Sequence, residues 1–185
     1  THFVFDKTGT LTEGKMRVSQ ILTGTNVAIH DVLSRAAAVE RFSEHGVALA
    51  IVREADAQSV SYRSLAVADF QVTAGLGVAA SVAGQSILLG SAQWLQRNRV
   101  ALDAGLCLRA DALEQQVMTC VHCAIAGEHV AVLVLADKLR ADAQALVDAL
   151  RAQGINMTLL SGDRNAVAEA VAAQLGGMEV IAEVL

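Results

Sequence analysis

Phe3-Val4-Phe5-Asp6-Lys7-Thr8-Gly9-Thr10-Leu11-Thr12 is the stretch on which the reading of this chain turns. The apolar run Phe3-Val4-Phe5 predicts a buried strand and leaves Asp6 at its carboxyl end, where open α/β sheets do chemistry. Gly9 permits a tight turn, and Lys7, Thr8, Thr10 and Thr12 put a cation and hydroxyls around the carboxylate. A carboxylate that accepts a phosphoryl group needs such neighbours. An aspartate that only caps a turn is the plain alternative for a bare Asp-Lys-Thr, but the whole heptapeptide after an apolar strand favours the nucleophile.

The other end of the chain supplies the rest of the sheet. A helix over 141–153 stops at Gly154, a strand Met157-Thr158-Leu159-Leu160 meets a turn at Ser161-Gly162-Asp163, a further helix runs to Leu175, and a strand starts at Glu179. This β/α alternation is the pattern of a parallel sheet covered by helices. Joined to the first strand, it predicts one doubly wound α/β domain built from residues 1–16 and 130–185, interrupted by an α+β domain over 17–129. Within the insertion, apolar spacing predicts a helix from Asp31 and another from Ser43 or His45. Three strands of a meander follow, at 70–73, 78–82 and 86–89, then a short helix at Trp94-Leu95 and a helix over 109–118. Two strands, 119–126 and 130–136, turn at Gly127-Glu128.

Composition excludes several classes. With 54% apolar residues a core is assured, and 14 Lys and Arg against 19 Asp and Glu, a net charge of -5, speak against nucleic acid as a partner. Three cysteines make no disulfide framework, no signal peptide precedes the first strand, and a reducing, cytoplasmic setting follows. Residues 70–96 carry no charge and are long enough to span a bilayer, but Gln71, Thr73, Gly75, Gly77, Gly84, Gln85, Ser86, Gly90 and Ser91 interrupt every apolar run.

The heptapeptide Asp6 to Thr12 resembles the phosphorylation motif of P-type ATPases, whose aspartate becomes an aspartyl phosphate on a haloacid dehalogenase-like fold. The resemblance continues along the chain. Leu160-Ser161-Gly162-Asp163, by itself an ordinary helix cap, stands where the family places Ser or Thr against the phosphate. Ser43-Glu44-His45-Gly46, with Glu40 upstream, resembles the Ser-Glu-His-Pro motif of heavy-metal pumps, in which the histidine and the upstream glutamate contact adenine. Gly46 replaces the proline, which weakens the order of that turn by roughly up to 1 kcal/mol. Gly75-Leu76-Gly77 is similar to the family's paired glycines at the nucleotide, the third glycine being Ala80. Gly90-Ser91 stands where Gly-Asn is frequent, so Ser91 is a weaker contact.

The resemblance implies a heavy-metal pump, copper by preference, whose ATP-binding and phosphorylation portion this chain is. ATP would be held through Glu40, His45, Gly75, Gly77 and Ser91, and Mg²⁺ through Asp6 and the carbonyl of Thr8. Lys7, Thr8, Ser161, Gly162 and Asp163 would surround the transferred phosphoryl group. Asp137-Lys138-Leu139-Arg140 is similar to the family's Asp-x-x-Arg at the hinge between domains. The implied partners are ATP and the transmembrane, actuator and metal-binding domains of the parent pump, and the implied place is the cytoplasmic face of a membrane.

The Gly-Asp-Gly-x-Asn-Asp loop of the family does not occur before Leu185, so the sheet is expected to be incomplete, the isolated fragment inactive in phosphoryl transfer and inclined to dimerise through an open edge. Cys120-Val121-His122-Cys123 has the spacing of a metal site, but on a strand residues three apart face opposite ways and cannot grip one ion. Two further readings stay open: a soluble haloacid dehalogenase-type phosphatase, against which Thr8 stands where such enzymes carry a second aspartate, and a nucleotide-binding module without catalysis.

Overall fold

The computed structural model of the chain describes residues 2–116, 118–161 and 165–182, without the side chains of Thr8, Ala166 and Val167. In chain order the elements are β1 (His2–Asp6), β2 (Thr12–Thr23), α1 (Ile29–Glu40), α2 (Gly46–Ala57), β3 (Val67–Thr73), β4 (Gly77–Val82), β5 (Gln85–Gly90), α3 (Ala92–Arg97), α4 (Ala104–Glu114), β6 (Thr119–Ile125), β7 (Glu128–Leu139), α5 (Ala143–Ala152), β8 (Asn156–Leu160), α6 (Asn165–Gln174) and β9 (Glu179–Ile181). They form two compact units: residues 1–15, 115–117 and 137–185, and residues 16–114 and 118–136. Strands β2 and β7 carry the chain from one unit to the other.

In the first unit β1, β8 and β9 form a parallel sheet in that order, with Phe5 opposite Leu159 and Asp6 opposite Leu160. Helices α5 and α6 close over it through Val147, Ala168, Val171 and Ala172, which pack with Leu175 just beyond α6 and with Phe5, Leu11 and Leu159. The buried strand expected from Phe3-Val4-Phe5 is only partly so. Phe5 is buried, whereas Phe3 and Val4 are 45% and 54% exposed, because β1 is an edge of the sheet formed by the described strands.

The second unit is a six-stranded sheet in the order β2-β7-β6-β5-β4-β3, with antiparallel pairing throughout the β3 to β7 meander. Alternation along its strands serves two cores. On one face Val78, Ala80, Val82, Ile87, Leu89, Val121, Cys123, Leu133 and Leu135 meet α1 and α2. On the other, Leu22, Cys120, Val132 and Val134 meet Leu106 and Ala110 of α4, and Leu88 and Ala124 meet Leu95 of α3.

Three boundaries move from their sequence-based places. Strand β7 is one unbroken element paired with β6 from Glu128 to Leu135, so residues 130–136 pack with the second unit and the chain returns to the first at Asp137. Helix α4 begins at Ala104, because the Asp103 carboxylate accepts the Leu106 N–H at 2.7 Å and caps its first turn. Helix α2 begins at Gly46, capped by His45. No described helix is long and apolar enough to cross a membrane, and residues 70–96 are the meander and α3.

Candidate functional site

The carboxyl ends of β1 and β8 bring Asp6 beside the Leu160-Ser161 step, since Asp6 and Leu160 are register partners. The Asp6 side chain is exposed, and Ser161 is buried with its N–H donated to the carbonyl of Ile181 at 3.0 Å. Gly162 and Asp163 lie outside the described residues, as does the Thr8 side chain. Beyond Asp6 the backbone makes one π-helical turn over Lys7–Leu11, with Gly9 at a φ of +81° in open space. Single π turns are rare and are frequently found at functional sites.

What locks this turn is a residue from far along the chain. The Thr12 hydroxyl donates to Asp137 Oδ2 at 2.6 Å and accepts the Gly9 N–H at 3.3 Å, while Asp137 Oδ1 accepts the Lys15 N–H at 3.1 Å. The Arg140 N–H donates to the Leu11 carbonyl at 2.9 Å. Asp137 and Arg140, read from sequence as a hinge motif, thus clamp both the end of the turn and the start of β2. Lys7, within this turn, is buried.

The second unit holds a cleft of about 510 Å³ lined by Glu40, His45, Gly75, Gly77 and Ser91, together with Ser43, Val72, Leu76 and Thr119. Residues named from three separate sequence motifs therefore meet in one place. Glu40 ends α1 and is 6% exposed, and its carboxyl has no hydrogen-bond or ion-pair partner among the described residues. Burial pushes its pKa up to about 7. His45 stands exposed at the rim; its Nδ1 accepts the Val47 N–H at 3.4 Å, which leaves the ring proton on Nε2.

The two glycines of Gly75-Leu76-Gly77 differ in kind. Gly75, at a φ of +72°, is the turn residue, and a side chain there would meet nothing within 4 Å. Gly77 is paired with Gly90 across β4 and β5, and a Cβ on either would come under 3.0 Å from the other's Cα and from Trp94 Cδ1. Gly77 lines the cleft, and a side chain there would strike the Leu89 carbonyl as well as Trp94 and Gly90. The Ser91 hydroxyl caps α3 by accepting the Trp94 N–H at 3.1 Å, and its own proton remains available toward the cleft.

The cysteines of Cys120-Val121-His122-Cys123 do face opposite cores, Cys120 toward α4 and Cys123 toward α1 and α2, and burial raises both thiols to about 12. A different grouping went unread in the sequence. His122 Nδ1 lies 3.1 Å from His129 Nε2, and Cys107 of α4 joins them, with the three ligand atoms within 4.8 Å of one another. Burial lowers the pKa of both rings, that of His122 to about 4, so both are neutral.

The chain is 40% identical over 182 residues to a copper-exporting P-type ATPase of Mycobacterium leprae, covering 98% of the chain and 22% of the relative. It is 37% identical over 183 residues to a zinc-transporting ATPase of Synechocystis, covering 98% of the chain and 24% of the relative. The crystal structure of a zinc-transporting PIB-type ATPase in its E2.Pi state superposes with a TM-score of 0.85 at 34% identity, over all of this chain and 29% of that one. The chain thus spans under a quarter of the curated relatives it matches. The family model of the haloacid dehalogenase-like hydrolases matches residues 1–184, and the chain belongs to that family.

Proposed function

We propose that this chain is the ATP-binding and phosphorylation part of a heavy-metal-transporting P-type ATPase, with copper as the cargo, acting at the cytoplasmic face of a membrane. The observation that carries the reading is the meeting of Glu40, His45, Gly75 and Ser91 in one cleft, in a chain that also carries Asp6 to Thr12. The M. leprae relative, a copper exporter, supports the choice of cargo.

In this reading residues 16–114 and 118–136 bind the nucleotide and the first unit receives the phosphoryl group. The adenine edge offers an acceptor at N1 and a donor at N6. A protonated Glu40 carboxyl answers both, donating to N1 and accepting from N6, which an ionised carboxylate cannot do. His45 contacts the base from the rim, and Gly75 lets the chain approach without a Cβ in the way.

At the other unit, an Asp6 carboxylate oxygen attacks the γ-phosphorus. The bond to the bridging oxygen breaks, ADP leaves with the electron pair, and an aspartyl phosphate remains. Ser161, next to Asp6's register partner Leu160, donates to the transferred oxygens in this reading, with Thr8, Gly162 and Asp163 as further contacts. The Asp137 clamp holds the π turn so that the carboxylate need not reorganise during transfer. The exposed Asp6 carboxylate and the Thr8 carbonyl are hard oxygen donors of the kind Mg²⁺ takes alongside phosphate oxygens. Mg²⁺ there supplies charge neutralisation of the phosphates. Water hydrolysis of the acyl phosphate then resets the pump, and the phosphorylated and free forms favour different arrangements of the remaining transmembrane, actuator and metal-binding domains.

The test is a calorimetric or NMR titration of the chain with ATP, ADP, AMP and GTP, repeated on His45→Ala. Adenine-selective binding that is lost in the variant is the expected result. Absence of binding, or binding indifferent to His45, would overturn the assignment of the cleft.

A further inference from the structure

The grouping of Cys107, His122 and His129 owes nothing to the nucleotide cleft. It is built by an irregularity in the sheet. Cys123 pairs with Ala131 but Ala124 pairs with His129, so β7 carries one extra residue, Val130, opposite β6. Without that bulge, His129 would share the facing of Ala131, Leu133 and Leu135, which look toward α1 and α2. With it, His129 turns to the opposite face and meets His122 and the α4 side chain Cys107. Bulges serve to re-aim a side chain in this way and are frequent beside functional sites.

We propose that Cys107, His122 and His129 form a site for a zinc-class divalent ion on the face of the sheet covered by α4. The donor set, two imidazoles and one thiolate, suits a borderline-to-soft metal and leaves a fourth tetrahedral position for water. The geometry is close to what such an ion requires. Two Zn–N bonds of about 2.0–2.1 Å at a tetrahedral angle hold their nitrogens about 3.3 Å apart, and His122 Nδ1 and His129 Nε2 already stand at 3.1 Å. The sulfur closes on the pair by a rotation of the half-buried Cys107 side chain, the one ligand of the three with access to solvent.

Binding rearranges protons in a defined way. In the metal-free chain the Asp103 N–H donates to His129 Nδ1 at 3.1 Å, which puts the ring proton of His129 on Nε2, donated to His122. An ion at His129 Nε2 replaces that proton, which moves to Nδ1, and the Asp103 amide loses its acceptor. Cys107 gives its thiol proton to solvent. Asp103 also caps α4 through Leu106, so the ion is coupled to the start of the helix that carries Cys107.

Titration of the untagged, chelator-treated chain with Co²⁺, followed by competition with Zn²⁺, tests this. The expected result is one equivalent of Co²⁺ with tetrahedral d–d bands and a thiolate-to-cobalt charge-transfer band, displaced by Zn²⁺, and a shifted Asp103 amide resonance in the zinc form. Cys107→Ser, at a position the core does not depend on, should abolish the charge-transfer band and weaken binding by at least about tenfold. No stoichiometric binding, binding without a thiolate band, or binding that Cys107→Ser leaves unchanged would each overturn the site.

Discussion

In the proposed function the two units present polar groups to a phosphorylated ligand by opposite means. In the first, the nucleophile and most of its neighbours are consecutive residues at the end of one strand, with Ser161 beside them after β8 and Asp137 supporting them from a distance. In the second, no two of Glu40, His45, Gly75 and Ser91 are neighbours in sequence, and the cleft exists only because α1, α2 and the meander pack around one core. A contiguous site tolerates loosening of its unit but not the loss of its one nucleophile, whereas an assembled site should fail gradually, by packing. The two can therefore be separated by mutation.

The largest effect should come from Asp6→Asn. An amide is no phosphoryl acceptor, so the acid-stable, hydroxylamine-labile phosphoenzyme of the full-length protein should fall by at least about 10³-fold. ATP affinity of the chain should be unchanged, because Asp6 does not line the cleft. Loss of ATP binding in Asp6→Asn would break the comparison by showing that the two sites are one.

Glu40 should show the next largest effect, and its sign follows from burial. Its pKa is about 7 in the folded chain against 4.5 for the unperturbed group, so between those values the native state keeps a proton that the unfolded state has lost. Stability therefore falls as pH rises through that window and is flat above it, by about 3 kcal/mol at most. Adenine binding should follow the same proton. At pH 8 only about a tenth of the chain carries the protonated carboxyl, which weakens ATP roughly tenfold relative to pH 6. The ATP-to-GTP affinity ratio is the proper readout, since ionisation of the phosphates cancels in it. Glu40→Gln presents both a donor and an acceptor at every pH, so it should keep the pH 6 ratio at pH 8 and raise the melting temperature there. A wild-type ratio that does not change between pH 6 and 8 would refute the protonated contact.

How much of this was legible depended on distance along the chain. The chemistry around the π turn was readable because the seven residues Asp6 to Thr12 are contiguous, but the turn's shape and its Asp137 support were not, since nothing in the spacing of Thr12 and Asp137 announces a hydrogen bond across 125 positions. The meander was legible from alternation and glycine turns. Helix α4 was displaced because Ala104 and Gly105 look like loop, although Asp103 three residues before Leu106 was a usable cap signal. The pair His122 and His129 was missed because only the four residues Cys120 to Cys123 were weighed as a metal motif, although a two-residue turn pairs Ala124 with His129 and so puts both rings on one face, while the bulge at Val130 lets the rest of β7 face α1 and α2.

The glycines sharpen the contrast between turn and packing within the assembled site. Gly77→Ala drives a methyl into Trp94 and Gly90, and should cost about 1–3 kcal/mol in urea unfolding of the chain, with the cleft distorted and ATP affinity lowered in step. Gly75→Ala meets no atoms and costs only the left-handed backbone, about 1 kcal/mol. Equal destabilisation by the two would mean that turn conformation, and not the room made for Trp94, sets the requirement for glycine here.

Gly46→Pro should have the smallest effect and the opposite sign. Gly46 is the first residue of α2, where proline's fixed φ suits the helix, and its N–H makes no hydrogen bond among the described residues. His45 before it already has φ -66° and ψ 145°, the extended conformation that a following proline enforces. A side chain at Gly46 meets nothing within 4 Å, so no packing opposes the ring at Cβ. The substitution removes freedom from the unfolded chain and should stabilise by about 0.4–1 kcal/mol, a rise of roughly 1–4 °C in melting temperature. Because it also fixes the turn that presents His45, ATP should bind about twofold more tightly, an increment of roughly 0.4 kcal/mol. A lower melting temperature would show that the turn needs glycine. A higher one with unchanged ATP affinity would show that the order of the helix start and the contact of His45 with the base are independent, and that the assembled site owes its affinity to the buried Glu40 end of the cleft.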